Sequence, residues 1–246
     1  MLMLASSFYQ RLKTAAASAL LLPSLLLVSL WLTWQLLAQV NFAYSVAYTL
    51  LDIGDVIEFY GPDNKFKDNF ALTDKSQHLQ LFAQIVTAIQ NQGQGLADIH
   101  YTPEGGSPVP LLHQSEIIHL QDVADLISHF NHAAGAALLV LVLLIVVNLR
   151  WKLPLPSNKS ILRCTAAMGA VAAAMLGMIG PTNVFYWLHQ QIFPPGHQWF
   201  FYYEDSLMTT LMKAPDLFGF IAALWLVLTL LSFSVALGIW RRRLAN

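Results

Sequence analysis

Four stretches of this 246-residue chain are apolar over enough length to cross a bilayer, and this constrains the fold more than any other feature. They run over residues 15–40, 130–149, 162–181 and 217–240. A helix rises 1.5 Å per residue, so about 20 residues span a hydrocarbon core of about 30 Å. Helices also satisfy their backbone hydrogen bonds internally, as a medium without water requires. An apolar share of 56% beside 11% charged residues lies outside the range of water-soluble domains. The expected fold class is an all-α membrane protein with four transmembrane helices in a single integral membrane domain, residues 1–246.

Orientation follows from the lysines and arginines, because cytoplasmic connections retain positive charge. Arg11 and Lys13 precede the first span, Arg150, Lys152, Lys159 and Arg163 fill the second connection, and Arg241, Arg242 and Arg243 follow the last span. Only Lys65, Lys67, Lys75 and Lys213 lie elsewhere. The acidic residues from Asp52 to Asp125, with Glu204, Asp205 and Asp216, fall in the other two connections, and the histidines fall on that same side, His129 and His132 at the top of the second span. Both termini are therefore expected in the cytoplasm, with the protein multi-pass in the cytoplasmic (inner) membrane and its active face extracytoplasmic. The first apolar stretch is too long for the apolar region of a secretory signal and reads as an uncleaved span that tolerates Pro23. The short basic clusters flank spans, so no nucleic-acid partner is expected. Cys164, the single cysteine, forms no internal disulfide and lies on the face opposite the expected chemistry.

The outer residues 41–128 are expected to form a small extracytoplasmic α+β subdomain between the first two spans, too short for an ordinary core of its own. Phe59 to Asn64 is a turn cluster. Leu79, Phe82, Val86 and Ile89 recur at helical spacing, which predicts an amphipathic helix ended near Gly93 and Gly95 and suited to lie on lipid headgroups. Residues 98–112, with Pro103, Gly105, Gly106 and Pro108 at their centre, read as a hairpin. Ser115 offers an N-cap for a helix leading into the second span. A straight helix from there to residue 149 is about 50 Å long, so a bend is expected near Asn131 or Gly135, laying Glu116 to Asp125 along the surface. Residues 182–216 are dense in aromatic rings and are expected to dip into the membrane interface. Trp187, Phe193 and Trp199 are the candidate substrate- and lipid-binding side chains there.

Glu116, His119 and Asp122 stand three apart, on neighbouring parts of one helix face. A carboxylate one turn from a histidine orients the imidazole as a general base, although the same spacing also suits a solvated polar face. His189 lies among aromatics, between Trp187 and Phe193. His129 and His132 top the second span, and His78, His100 and His113 have no partner nearby in sequence. A metal site is conceivable from Glu116, His119, Asp122 and His189, but the spacing of a zinc peptidase helix is absent and no cofactor is expected. The serine-elbow pattern of hydrolases is absent too.

The run Glu116-Ile117-Ile118-His119-Leu120-Gln121-Asp122-Val123, with the later run Leu188-His189-Gln190-Gln191-Ile192-Phe193-Pro194, resembles the signature pair of the membrane-integral lipoprotein intramolecular transacylases. Trp199 and the step Asp205-Ser206-Leu207 also fit, and the similarity covers most of the chain. The resemblance implies that His119 and His189 are catalytic, with Glu116 and Asp122 in support. It implies a diacylglyceryl-modified lipoprotein as substrate, within membrane lipid. The reaction so implied moves the sn-2 acyl chain to the amine of the N-terminal cysteine and leaves a lyso-form lipoprotein. His119 as base and His189 as donor or acid are interchangeable roles at this stage, and an acyl-histidine intermediate is the alternative to direct transfer. Two rival readings are a metal-dependent membrane hydrolase at the outer face and a non-catalytic lipid-binding or scaffolding protein.

Overall fold

The computed structural model describes residues 2–151 and 157–245, and leaves out the side chains of 2–18, 148–149, 151, 164, 168, 181 and 243–245. The charges of Arg11, Lys13, Lys152 and Arg243 and the thiol of Cys164, all used in the reading above, lie outside the described side chains. In order, the elements are α1 (Leu2–Gln39), α2 (Tyr44–Leu50), α3 (Ile53–Tyr60), α4 (Lys75–Gln90), β1 (His100–Tyr101), β2 (Val109–Pro110), α5 (Gln114–Trp151), α6 (Asn158–Ile179), α7 (Pro181–Ile192), α8 (Leu207–Met212) and α9 (Asp216–Ala245). Among the described residues four helices are long and apolar enough to cross a membrane, over Ala19–Gln39, Gln114–Val147, Asn158–Ile179 and Asp216–Arg242. The protein is a multi-pass membrane protein, mostly helical, with one antiparallel pair of short strands among the described residues.

The expected break in the second span does not occur. Helix α5 is one continuous run of 38 residues through Asn131 and Gly135. It contains no proline, and a lone glycine costs about 1 kcal/mol, too little to end a helix of this length. The Asn131 side chain also accepts a hydrogen bond from Gln35 Nε2 at 3.0 Å. Glu116 to Asp125 therefore continue the span helix and do not form a separate surface helix. Nor is Ser115 the N-cap: the helix starts at Gln114, which puts His113 at the cap and Glu116 at its third position.

The chain divides into two compact bodies. One comprises residues 32–131 and 193–228. Its core gathers Tyr44, Ile53, Ile57, Phe70, Leu81 and Ile85 from the segment between the first two spans with Leu207, Leu211 and Leu217 from later in the chain. Residues 41–128 do not supply this core alone, because every residue of α8 is buried as well. Helix α4 forms where the periodicity predicts, with Asp74 as N-cap accepting from Gln77 N. Its apolar face is packed into this core, so it is not the lipid-facing surface helix expected. Each buried leucine, isoleucine or phenylalanine there contributes about 1.5–3 kcal/mol, more than a headgroup surface offers. Between α1 and α2 three consecutive residues, Asn41, Phe42 and Ala43, take positive φ, a strained turn that seats the Phe42 ring 4.7 Å from that of Trp34. The hairpin pairs His100 with Pro110 and Tyr101 with Val109.

His78, without a partner in sequence, is buried between two. Thr73 Oγ1 donates to Phe70 O, so at 2.7 Å it accepts from His78 Nε2–H. Nδ1 is then the lone-pair nitrogen and accepts from Tyr48 Oη–H at 2.9 Å. Burial lowers the imidazole pKa to about 4, well below its ordinary 6.5. A depressed folded pKa stabilises the fold above pH 6.5, and that contribution falls as pH drops toward 4. Thermal unfolding of the purified protein between pH 7 and 4 is expected to lose about 2–3 kcal/mol from this group. A His78→Phe variant showing the same loss would exclude His78 as the source.

The other body comprises residues 1–31, 132–192 and 229–246. Leu21 and Leu25 of α1 and Leu141 and Leu144 of α5 are buried together there, flanked by Phe233 and Trp240 of α9. Helix α6, rich in alanine and glycine, exposes its apolar side chains along almost its whole described length, a surface suited to lipid.

Candidate active site

The site's first component is the start of α5. Glu116, fully buried, turns back to accept from His113 N, the backward half of a capping box. Its other oxygen accepts from Ser206 Oγ–H, and Ser206 Oγ itself caps α8 by accepting from Thr209 N at 2.9 Å. One carboxyl group thus ties together two helix N-termini that lie 90 residues apart in sequence. Lys67, also buried, donates to Pro110 O. Burial lowers its ammonium pKa, and the charge of Glu116 draws it part of the way back.

One turn on, the half-buried His119 ring stands 4.8 Å from Phe193 and 5.9 Å from Phe201, centroid to centroid. Another turn on, Asp122 Oδ2 lies 2.7 Å from Nδ1 of His197. This corrects the expected arrangement. The three side chains do share a face, but Glu116 serves Ser206 and His113, and Asp122 pairs with His197, so the carboxylates that were to orient His119 are engaged elsewhere. His197 was not among the candidates, and its partner lies 75 residues away, beyond the reach of any spacing rule. Among the described residues no group of three or more metal-capable side chains gathers.

His189 sits in α7, in the other body. Its Nδ1–H donates to Phe185 O at 2.8 Å, one turn back, which makes Nε2 the lone-pair nitrogen. The Phe185 ring lies 3.9 Å from the imidazole, and burial lowers the His189 pKa below its ordinary value, partly opposed by that backbone bond. A neutral imidazole with a fixed tautomer is suited to accept a proton at pH 7. Of the aromatic candidates, Trp187 is exposed on α7, Phe193 packs on His119, and Trp199 is half-buried with its ring 6.2 Å from Phe200. His129 Nδ1 is bonded to Asp125 O and His100 Nδ1 to Asp98 O. His113, half-buried against the edge of Phe66, has its pKa lowered by burial and by Lys67.

The sequence model of the lipoprotein intramolecular transacylases matches residues 19–214, most of the chain. The chain belongs to the lipoprotein intramolecular transacylase family. It is accordingly a membrane acyltransferase. The fold resembles that of the membrane-integral transacylase from Bacillus cereus, solved with a histidine-to-arginine substitution, at TM-score 0.67 and 15% identity, over 99% of this chain and 98% of that one. A histidine-to-alanine form of the same protein is similar at TM-score 0.67 and 15% identity, over 98% and 96%. At such low identity the likeness concerns the fold alone. Nothing among curated sequences matches the chain.

Proposed function

We propose that this transacylase moves the sn-2 acyl chain of a diacylglyceryl-modified lipoprotein to the amine of that lipoprotein's own N-terminal cysteine, with His189 and His119 as the catalytic side chains. The observation that carries the reading is the His189 imidazole, held by Phe185 O as the Nδ1–H tautomer and kept neutral by burial. An α-ammonium group has an ordinary pKa of about 7.7–8.0, so a neutral imidazole removes its proton at little cost. The free amine attacks the ester carbonyl, the new N–C bond forms as the nitrogen sheds a proton, the C–O bond to glycerol breaks, and the glycerol oxygen takes up a proton.

His189 Nε2 is the base in this scheme, and His119 donates to the developing oxyanion or to the leaving glycerol oxygen. This order of roles is favoured because the carboxyls of Glu116 and Asp122 are engaged away from His119. Phe193, which packs on His119, follows His189 by only four residues in the chain. Amine and ester belong to one molecule, so holding them in register contributes several kcal/mol, up to about 7–11, without a covalent enzyme intermediate. Trp187 and Trp199 contact the lipid part of the substrate. The distribution of lysine and arginine supports cytoplasmic termini and an extracytoplasmic active face on the inner membrane, with residues 41–128 and 182–216 as the outer segments.

The test is mass spectrometry of the N-terminal lipopeptide of a defined lipoprotein, made in a host without its own N-acylation. With the protein present, one acyl chain is expected on the cysteine amine and one on glycerol. An unchanged diacylglyceryl peptide, with the protein present in the membrane, would rule out this substrate.

A further inference from the structure

Residues 193–206 form a strap laid along the first turns of α5, touching it at three positions spaced three residues apart. At one end Ser206 Oγ bonds Glu116. In the middle Phe193 and Phe201 both approach the His119 ring, at 4.8 and 5.9 Å. At the other end His197 bonds Asp122 at 2.7 Å. The strap's tip is a tight turn, with His197 N bonded to Pro194 O at 3.2 Å and Gly196 at φ +89. Pro194 and Pro195 remove backbone freedom there, so the position of His197 is passed to Phe193 with little slack.

The Asp122 side chain is 12% exposed and that of His197 is 40% exposed. A side-chain contact with one partner this open to water contributes little to stability. Its geometric effect is larger: without it the tip loses its bond to α5, and the aromatic rings on either side of it lose their register on that helix. The second torsion of a histidine is broad, so an imidazole keeps one orientation only where its neighbours impose it.

We propose that His197 is a positioning residue: through Asp122 it holds the strap against α5 so that Phe193 and Phe201 fix the orientation of the His119 imidazole. This rests on the catalytic reading of His119. His197 does not touch the reacting atoms, so its loss lowers kcat and leaves KM nearly unchanged.

The experiment uses the full-length protein in lipid nanodiscs with a synthetic diacylglyceryl lipopeptide, product being followed by mass spectrometry. His197→Ala and Asp122→Ala are each expected to lower kcat by about tenfold, consistent with misplacement of a reacting group. The double variant is expected to be no slower than either single one, because both remove the same contact. His197→Asn puts an amide N–H where Nδ1–H stood and is expected to recover kcat to within about threefold of the parent. The second readout is independent of activity. The His119 ring resonance, identified by its absence in His119→Ala, carries a ring-current shift from the two phenylalanines, which His197→Ala should abolish and His197→Asn should preserve. Parental kcat in both alanine variants, with the His119 resonance unmoved and His119→Ala inactive, would overturn the positioning role alone. Full activity of His119→Ala would overturn the catalytic reading, and this proposal with it.

Discussion

Alanine at His189 is expected to slow acyl transfer by about 10²–10⁴-fold, the usual contribution of a positioned general base. The loss should appear in kcat, since the imidazole acts on the proton that leaves as the amine attacks. Glutamine at the same position should be no better, because its amide has no basic nitrogen. His119→Ala is expected to fall in the same range through loss of the donor to the leaving oxygen. The pH profile supplies a sharper check. Burial lowers the His189 pKa, so the neutral form persists below the ordinary histidine value of about 6.5. The acid limb of kcat should therefore lie below that value and disappear in His189→Ala. Conversion rates of a defined lipopeptide between pH 5 and 8 would show this. Parental rates for His189→Ala would remove the base from the scheme.

Replacing Glu116 by alanine is expected to cost about 3–5 kcal/mol of stability, the largest single effect in the body formed by residues 32–131 and 193–228. The carboxyl is fully buried and accepts from both His113 N and Ser206 Oγ. Its removal leaves the α5 cap donor unsatisfied and frees the hydroxyl that caps α8. Leucine fills the volume and leaves the same donors bare, so it should be almost as damaging. Glutamine should cost only about 1 kcal/mol, because its oxygen can accept from His113 N while its amide donates to Ser206 Oγ. The measurement is thermal unfolding of the purified variants with turnover per folded molecule alongside. A Glu116→Gln variant that is stable yet inactive would return Glu116 to the catalytic role that its spacing from His119 suggested.

The contrast between these two groups shows which parts of the site can be read from sequence. His119 and His189 could be picked out as candidates because each lies in a recognisable run, and the first of these places Glu116, His119 and Asp122 on one helical face. That shared face is correct, but the roles on it are not local. Glu116 binds Ser206 across 90 residues and Asp122 binds His197 across 75. His78, between Tyr48 and Thr73, gave no sign in sequence of either partner.

By itself the sequence determined the four apolar helices, the amphipathic α4, the short hairpin and the family, because length, periodicity and turn chemistry are properties of neighbouring residues. It also offered histidines and carboxyls in the two segments between spans as the candidates for chemistry. Only the tertiary structure decided that α5 runs unbroken, that α4 faces a protein core and not lipid, and that the strap after His189 lies over His119. Apolar burial is non-directional and survives being read as a pattern. A hydrogen bond requires two particular atoms within about 3 Å, and which distant residue supplies the second atom emerges only once the chain has packed.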